Sequence, residues 1–193
     1  MLLSIDTSAG TSAAVIDSNC LSFVSFADPF GHAENIGLVV EKAISEAGIS
    51  MEQISAIAVA RGPAPYTGLR VGMAAATALS KAGALPLHGV ITLDAIAYSA
   101  GVGSLLVTTD AKRRELFAAT YKSGKRIDGP LLLTASDLEN YAGFELVQVS
   151  CDAKLVGEYA KAAFAQGVDL SDLSALYLRS PDVTPSAGKK VSG

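Results

Sequence analysis

Apolar residues recur with two different periods along the first part of this chain, and the change of period separates strands from helices. Short apolar runs at 2–6, 11–17 and 21–26 are divided by turn residues, and they predict three strands in an antiparallel meander. From 34 to 47 the apolar positions fall on one helical stripe, and 56–60 is a short apolar run typical of a buried parallel strand. The pattern therefore predicts an α/β fold.

The order of predicted elements repeats, in shortened form, in the second half of the chain. A strand at 87–91 and a helix at 93–100 complete a βββαβαβα order. The pattern then restarts with three strands, a short helix, a further strand and a final helix, at 105–110, 115–121, 131–133, 136–141, 146–150 and 153–166. This repetition predicts duplicated βββαβα half-domains, with lobes at 1–102 and 103–180, and the Pro-, Ser- and Gly-rich residues 181–193 are predicted to be disordered.

One predicted helix, in the stretch RGPAPYTGLRVGMAAATALSK at 61–81, has an unusual composition. Its first part is rich in glycine and proline, which are typical of a tight turn, and Thr67 is the predicted N-cap of the helix. Between Val71 and Leu79 only Thr77 is polar. Such a helix is expected to be buried all round, with one face on its own sheet and the other against a second helix, which can belong to another chain.

Two other interpretations of this stretch remain open. It can be an ordinary central helix behind a tight loop. It can also be an anion site, because Gly68, Leu69 and Arg70 place free backbone NH groups and a guanidinium at a helix N-terminus. On the preceding helix, Leu38 lies off the apolar stripe and is a candidate partner contact, although a single exposed leucine is ordinary.

Composition limits the classes of function that the chain can have. It has 193 residues, of which 50% are hydrophobic, so it can bury one large core or two small ones. Its 15 Lys and Arg against 19 Asp and Glu give a net charge of −4. This charge argues against a protein that binds nucleic acid on its own. Cys20 and Cys151 lie far apart and no cationic and apolar leader stands at the start, so reduced thiols in a cytoplasmic protein are expected. The apolar runs are too short for a membrane span, and two histidines offer few ligands for a transition metal.

Polar residues with the chemistry of a nucleotide site follow the first predicted strand. Asp6, Thr7, Ser8 and Thr11 surround a turn where hydroxyl and NH groups can hold a phosphate, while the carboxylate holds Mg²⁺ through water. Asp110 ends the corresponding strand of the second half and would face Asp6 across a cleft. ATP or ADP with Mg²⁺ is therefore a candidate ligand, although Asp, Ser, Thr and Gly are also ordinary residues of a hairpin turn.

Basic residues are concentrated just after Asp110. They are Lys112, Arg113, Arg114, Lys122, Lys125 and Arg126. Such a group can contact RNA phosphates, but a solvated hairpin is the simpler interpretation. With two histidines, one of them His32 before the first helix, no catalytic triad can be assembled.

Four segments within the first 121 residues carry a family resemblance. They are IDTSAGTSAAVID at 5–17, RGPAPYTGLRVG at 61–72, LDAIAYSA at 93–100 and TTDAKRRELFAATY at 108–121. In this order they resemble the TsaB (YeaZ) family, small bacterial paralogues of TsaD in threonylcarbamoyladenosine tRNA modification. The resemblance implies the two-lobed actin-like ATPase fold of sugar kinases, Hsp70 and actin, with ribonuclease-H-like half-domains, which agrees with the duplicated element order.

The resemblance also implies a function and partners. The family member acts as a non-catalytic scaffold that activates TsaD in the N6-threonylcarbamoylation of adenosine 37 of ANN-decoding tRNAs. TsaD would form a heterodimer with it, the ATPase TsaE would join at the interface, tRNA would bind only through the complex, and the chain alone would be a homodimer. The pairing uses the first two helices, and the implied contacts here are Leu38, Gly68, Leu69, Gly72, Met73, Ala75, Ala76 and Leu79.

One local departure separates this chain from the catalytic paralogue. TsaD carries an HxxxH metal motif at the start of the helix after the next strand, and the matching positions here are Thr92 and Ile96. Neither can bind a metal as histidine does, so the resemblance implies no catalytic activity and no certain cofactor. The alternative is an independent ATPase or small-molecule kinase that uses Asp6, Thr7 and Asp110.

Overall fold

A five-stranded sheet forms the centre of the first lobe. The computed structural model describes residues 1–28 and 31–179, so the predicted disordered tail at 181–193 lies outside the described residues. The strands are β1 (Leu2–Asp6), β2 (Thr11–Ile16), β3 (Cys20–Phe26), β4 (Ala56–Ala60) and β5 (Leu87–Val90). Their order is β3-β2-β1-β4-β5, with an antiparallel meander followed by two parallel strands, as the periodicity predicts.

Four helices cover the two faces of this sheet. They are α1 (His32–Glu46), α2 (Tyr66–Gly83), α3 (Thr92–Ala100) and α4 (Ala153–Ala165). Helices α1 and α2 pack together on one face, over a core that includes Leu3, Val39 and Val59. Helices α3 and α4 pack together on the other face. Within the described residues, no helix is both long enough and apolar enough to cross a membrane.

A four-stranded sheet forms the second lobe and repeats part of the first. Its strands are β6 (Ser104–Asp110), β7 (Glu115–Lys122), β8 (Lys125–Thr134) and β9 (Glu145–Gln148). In the order β8-β7-β6-β9, the first three strands are antiparallel and β9 is parallel to β6, which matches the pairing of β4 with β1. The predicted two-lobed, duplicated α/β fold is confirmed. The short helix predicted at 136–141 is a 3₁₀ helix, Ala135–Tyr141, and a single 3₁₀ turn, Met51–Gln53, precedes β4.

One hydrophobic core extends through both lobes. Helix α4, from the second half of the chain, packs on β1 and β2 of the first sheet. Its Val156 lies in the same buried cluster as Leu93 of α3 and as Val107 and Tyr121 of the second sheet. The boundary predicted between 102 and 103 therefore separates two sheets that share a core.

The C-terminal segment, residues 170–179, connects the two lobes after α4. The NH group of Leu176 donates to the carbonyl oxygen of Arg61 over 2.7 Å, and the guanidinium of Arg61 forms an ion pair with Asp172 at 2.9 Å. At its other end, Arg179 donates to the carbonyl oxygen of Ala111 over 3.1 Å and forms an ion pair with Glu115. The segment is thereby fixed to the first lobe at Arg61 and to the second lobe at the β6–β7 hairpin.

Candidate functional site

A cavity of about 510 Å³ lies between the two lobes. Its size is in the range of small-molecule sites. The turns after β1 and β6 contribute Thr7, Ser8, Asp110 and Lys112, and the start of α2 contributes Tyr66, Thr67 and Gly68. The starts of α1 and α3 contribute His32 and Thr92, and the residues before α4 contribute Ser150 and Cys151. Several helix N-termini and two hairpin turns therefore meet at one place.

The carboxyl group of Asp6 lies behind the cavity wall. Asp6 is fully buried, and its carboxylate oxygens accept hydrogen bonds from the backbone NH of Ser8 at 3.3 Å and from its hydroxyl at 3.0 Å. Burial raises the pKa of Asp6 to about 7, and the hydrogen bonds from Ser8 only partly oppose this rise. Both hydrogen bonds to this carboxyl group come from its own turn.

The Asp110 carboxylate is held in a similar way at the other side of the cavity. It accepts from the backbone NH of Lys112 at 2.7 Å and pairs with the Lys112 ammonium at 2.9 Å. The hydrogen bonds from Lys112 lower the pKa of Asp110. Asp110 lines the cavity and Asp6 lies behind its wall, and each carboxylate accepts hydrogen bonds from a neighbour in its own turn. In the part of the chain that is described, no three His, Cys, Asp or Glu side chains are grouped as metal ligands.

Thr7 and Thr11, two of the predicted nucleotide-site residues, form hydrogen bonds to the starts of helices α2 and α1. The Thr7 hydroxyl donates to the carbonyl oxygen of Gly68 at 2.8 Å and accepts from the NH of Gly72 at 3.1 Å, so it joins β1 to the first turns of α2. Thr11 is buried, and its hydroxyl lies 2.9 Å from Nδ1 of His32 at the start of α1. Of the predicted nucleotide residues, Thr7, Ser8 and Asp110 line the cavity, while Asp6 and Thr11 lie behind it. A nucleotide at this place stays a prediction.

The close approach of α2 to Thr7 predicts a strong effect of a single methyl group. A Cβ atom at position 72 would overlap the Thr7 hydroxyl, so we expect Gly72→Ala to lower the free energy of unfolding by about 1–3 kcal/mol. Gly37 on α1 has no atom within 4 Å of such a Cβ, so Gly37→Ala should raise it by about 0.4–1 kcal/mol. Urea denaturation of both variants measures the difference. Equal stabilities would contradict the close packing of Gly72.

The sequence pattern missed three features of the cavity wall. Helix α2 begins at Tyr66 rather than at Gly68, and its N-cap is Pro65 instead of the predicted Thr67, because the extended Pro65 backbone already leads into the helix. Thr92 lines the cavity, although the sequence singled it out only as the counterpart of a histidine. The buried Cys151 lines it too, and burial raises the pKa of its thiol. A single cysteine or threonine has no sequence pattern that marks it as part of a cavity, and only the fold brings these two side chains to the same wall.

Within this chain, helix α2 is buried on the face that packs on its own sheet, and the face predicted to meet a second helix is exposed. Among the predicted partner contacts, Gly68, Leu69, Gly72 and Ala76 form the stripe that faces the interior of the chain. Met73, Ala75 and Leu79 are half-buried, and Leu38 on α1 is 48% exposed. The spacing of 3.6 residues per turn puts Ala74 and Ala78 on the exposed face instead. A partner could therefore reach Leu38 and these two alanines, but not the inward stripe.

The basic residues do not form one patch. Lys112 and Arg114 lie before β7, whereas Lys122 and Lys125 lie at its far end. Eight residues of extended strand separate the two groups by about 25 Å. Arg126 forms an ion pair with Asp94 at 3.4 Å. The geometry thus agrees with a solvated hairpin.

Comparisons with known proteins identify relatives in sequence. The family model described as TsaD, tRNA N6-adenosine threonylcarbamoyltransferase, matches residues 30–150. An uncharacterized protein of Mycobacterium tuberculosis is 36% identical over 171 residues, which cover 83% of this chain and 81% of the relative. An uncharacterized protein of Mycobacterium leprae is 34% identical over 96% of this chain, which spans only 56% of that relative. The tRNA threonylcarbamoyladenosine biosynthesis protein TsaB of Escherichia coli is 34% identical over 49% of this chain and 42% of its own length.

Solved structures have the same fold. A crystal structure from Pseudomonas aeruginosa, described as an uncharacterized protein with similarity to peptidase YeaZ, superposes with a TM-score of 0.76 over 92% of this chain and 99% of its own, at 23% identity. YeaZ from the same organism superposes with a TM-score of 0.71 over the same fractions, also at 23% identity. The resemblance to TsaB (YeaZ) found in the sequence is confirmed.

Proposed function

Since the chain belongs to the family described as TsaD, tRNA N6-adenosine threonylcarbamoyltransferase, we propose that it acts in that tRNA modification as a non-catalytic subunit which stabilises and activates a TsaD enzyme. The threonylcarbamoyl group would be placed on N6 of adenosine 37 in ANN-decoding tRNAs. This chain would contribute to the assembly of the complex, and the transfer itself would take place on its partner.

The exposed face of α1 and α2 is the observation that carries the proposal. The two helices pack side by side on one face of the first sheet, and no described element covers their outer side. That outer side presents Gly37 and Leu38 on α1, and Ala74 and Ala78 on α2. Small residues allow the backbone of another helix to approach closely, and the exposed Leu38 offers an apolar contact. We call these four residues the α1–α2 face.

Two properties of the cavity support a non-catalytic role. Thr92 and Ile96 occupy the positions where the resemblance places metal-binding histidines, and Ile96 is fully buried in the core. Asp6 and Asp110, the candidate acidic ligands of a nucleotide-bound metal, each accept hydrogen bonds from their own turns. Mg²⁺ held through water would share the oxygens of these carboxylates with the bonds from their own turns.

The proposal defines the partners of the chain. TsaD would bind the α1–α2 face, and TsaE would join the complex at that interface. A second copy of this chain would occupy the same face when TsaD is absent. Transfer RNA would be bound only by the assembled complex, which is consistent with the net charge of −4 and with the separation of the basic residues.

A reconstituted reaction tests this function. With TsaD, TsaE and the enzyme that makes threonylcarbamoyl-AMP, mass spectrometry of tRNA nucleosides should detect threonylcarbamoyladenosine only when this chain is added. The Asp110→Asn variant should support the reaction as well as the unchanged chain, because the proposal gives that carboxylate no chemical role. Equal product without the chain would refute the scaffold role, and loss of product with Asp110→Asn would favour the nucleotide-dependent enzyme.

A further inference from the structure

The turn between β6 and β7 has an unusual backbone conformation. Its three basic residues, Lys112, Arg113 and Arg114, have φ values of 62°, 55° and 64°. These values lie in the left-handed region, where the Cβ atom of an L-residue comes too close to the following carbonyl oxygen. Glycine and asparagine adopt this region as single residues, whereas three successive residues with long side chains form a strained turn. Such strain persists only where surrounding contacts hold the backbone in place.

Contacts within the turn provide part of this restraint. The NH group of Glu115 donates to the carbonyl oxygen of Lys112 at 3.0 Å, and the Asp110 carboxylate accepts from the NH group of Lys112 at 2.7 Å. The Lys112 ammonium pairs with the same carboxylate, but both side chains are more than half exposed, so this pair contributes little. The side chains of the turn therefore restrain its backbone only weakly.

Arg179, the last residue that the structure describes, contacts the turn from outside. Its guanidinium donates to the carbonyl oxygen of Ala111 at 3.1 Å, approaches that of Lys112 at 3.5 Å and forms an ion pair with Glu115. One planar, charged group thereby contacts the first two carbonyl oxygens of the turn and the residue that follows the turn. The Arg179 side chain is half-buried, so water competes with these contacts less than it does at Lys112.

The segment that carries Arg179 is attached to the first lobe. The ring of Tyr177 packs on that of Tyr66 at the start of α2, with 4.7 Å between the ring centres, and the Tyr177 hydroxyl accepts from Nε of Arg70 at 3.2 Å. The guanidinium carbon of Arg70 lies 3.8 Å from the centre of the Tyr66 ring. Arg179 thus reaches the second lobe from an attachment on the first, so its contact with the turn depends on how the two lobes are placed.

We propose that the β6–β7 turn is a two-state element and that Arg179 holds it in its strained state. With Arg179 in place the turn is left-handed, and Lys112 bonds to the Asp110 carboxylate at the edge of the large cavity. When Arg179 withdraws, the turn relaxes, these bonds are lost and the carboxylate is released. The C-terminal segment thereby controls the charge that one wall of the cavity presents. This inference does not rest on the proposed partnership with TsaD.

Space for this change lies beside the turn. A second cavity, of about 190 Å³, separates the turn from the start of α2, and its lining includes Ala111, Arg113, Tyr177 and Arg179. A closely packed core would resist a change of backbone conformation, whereas an open space beside the turn permits it. The strain therefore favours a movement of the turn, and the cavity provides room for it.

Nuclear magnetic resonance of the isotope-labelled full chain tests the proposal, because the amide and Hα protons of one residue lie closest together when φ is positive. Strong NOEs between these two protons are expected for residues 112–114 of the unchanged chain. In Arg179→Ala these NOEs should fall about threefold, as the turn leaves the left-handed region. Ser123 is the internal control, because its φ is 51° and it lies at the far end of β7, so its NOE should stay strong.

The Asp110 carboxyl group provides a second measurement, by carbon-13 resonance as a function of pH. Hydrogen bonds from Lys112 lower the pKa of Asp110 below its ordinary value of 3.8, so Arg179→Ala should raise that pKa back towards 3.8. Asp169 is the matched control. Hydrogen bonds from Ser171 lower its pKa in the same way, at the other end of the C-terminal segment, and its pKa should not change.

Each possible result of the two measurements supports or contradicts the proposal. Weaker NOEs at residues 112–114 together with a raised pKa of Asp110 support it, provided that both controls are unchanged. The proposal is overturned if Arg179→Ala keeps the NOEs and the pKa of the unchanged chain, since the turn would then be left-handed without Arg179. Changes of the same size at Ser123 or Asp169 would also overturn it, because they would show a general loosening of the chain.

Discussion

An arginine in place of Ala74 should weaken pairing with TsaD by roughly a hundredfold or more, while the chain still folds. Ala74 lies on the exposed side of α2, so a long side chain there can extend into solvent. In the proposed complex, the same position is covered by a partner helix. The guanidinium would then separate two closely packed backbones and would lose its hydration without gaining a counter-charge.

Isothermal titration with TsaD measures this affinity, and circular dichroism checks that the variant is folded. Ala165→Arg is the matched control, because Ala165 is an exposed alanine at the end of α4, away from the α1–α2 face. It should bind as the unchanged chain does. If Ala74→Arg pairs normally, the partner contacts another surface; if it unfolds, α2 is more tightly enclosed than its exposure indicates.

The second large effect concerns the pH dependence of stability. The pKa of Asp6 rises from its ordinary value of 3.8 to about 7 on folding, so between these values the folded chain holds a proton that the unfolded chain has lost. The contribution of Asp6 to the free energy of unfolding is therefore fully present below pH 3.8, and it is lost as the pH rises towards 7. Between pH 5 and pH 7 the loss amounts to roughly 2–3 kcal/mol. Asp6→Asn, which cannot ionise, should remove that loss.

Urea denaturation at pH 5, 6, 7 and 8 compares the two proteins. The unchanged chain should lose stability relative to Asp6→Asn up to about pH 7, and the difference should then level off. Asp110→Asn is the control: hydrogen bonds lower the pKa of that exposed carboxylate below its ordinary value of 3.8, so its small contribution to stability is lost only at lower pH and its curve should stay parallel to that of the unchanged chain between pH 5 and pH 8. Parallel curves for Asp6→Asn and the unchanged chain would show that Asp6 is charged throughout.

The sequence predicts the elements of this fold well because their periods are simple. The strands at the start alternate with turn residues, and α1 carries one continuous apolar stripe, so the order of elements follows from local pattern. The position of α4 does not follow in the same way. Its apolar stripe indicates a buried helix, but the sheet that covers it lies more than a hundred residues earlier in the chain.

Side-chain direction is the part of the site that the pattern leaves open. In α2 nearly every residue is small or apolar, so composition cannot distinguish the inward Gly72 and Ala76 from the outward Ala74 and Ala78. Thr92 gives no signal either, because an isolated threonine before a helix is common. The acidic residues Asp6 and Asp110 were visible as candidates, but the bonds within their own turns depend on backbone geometry that only the folded chain specifies.

The C-terminal segment has a consequence for the order in which the molecule is made. During synthesis the first sheet and α1 leave the ribosome early, and domains fold as their residues emerge. The bond from Leu176 to Arg61 joins positions more than a hundred residues apart, and Arg179 must also reach the β6–β7 hairpin. The gap between the lobes therefore acquires its final width only when nearly the whole described chain has been translated. Because α4 also packs on β1 and β2, one face of the first sheet stays uncovered until the same late stage of synthesis.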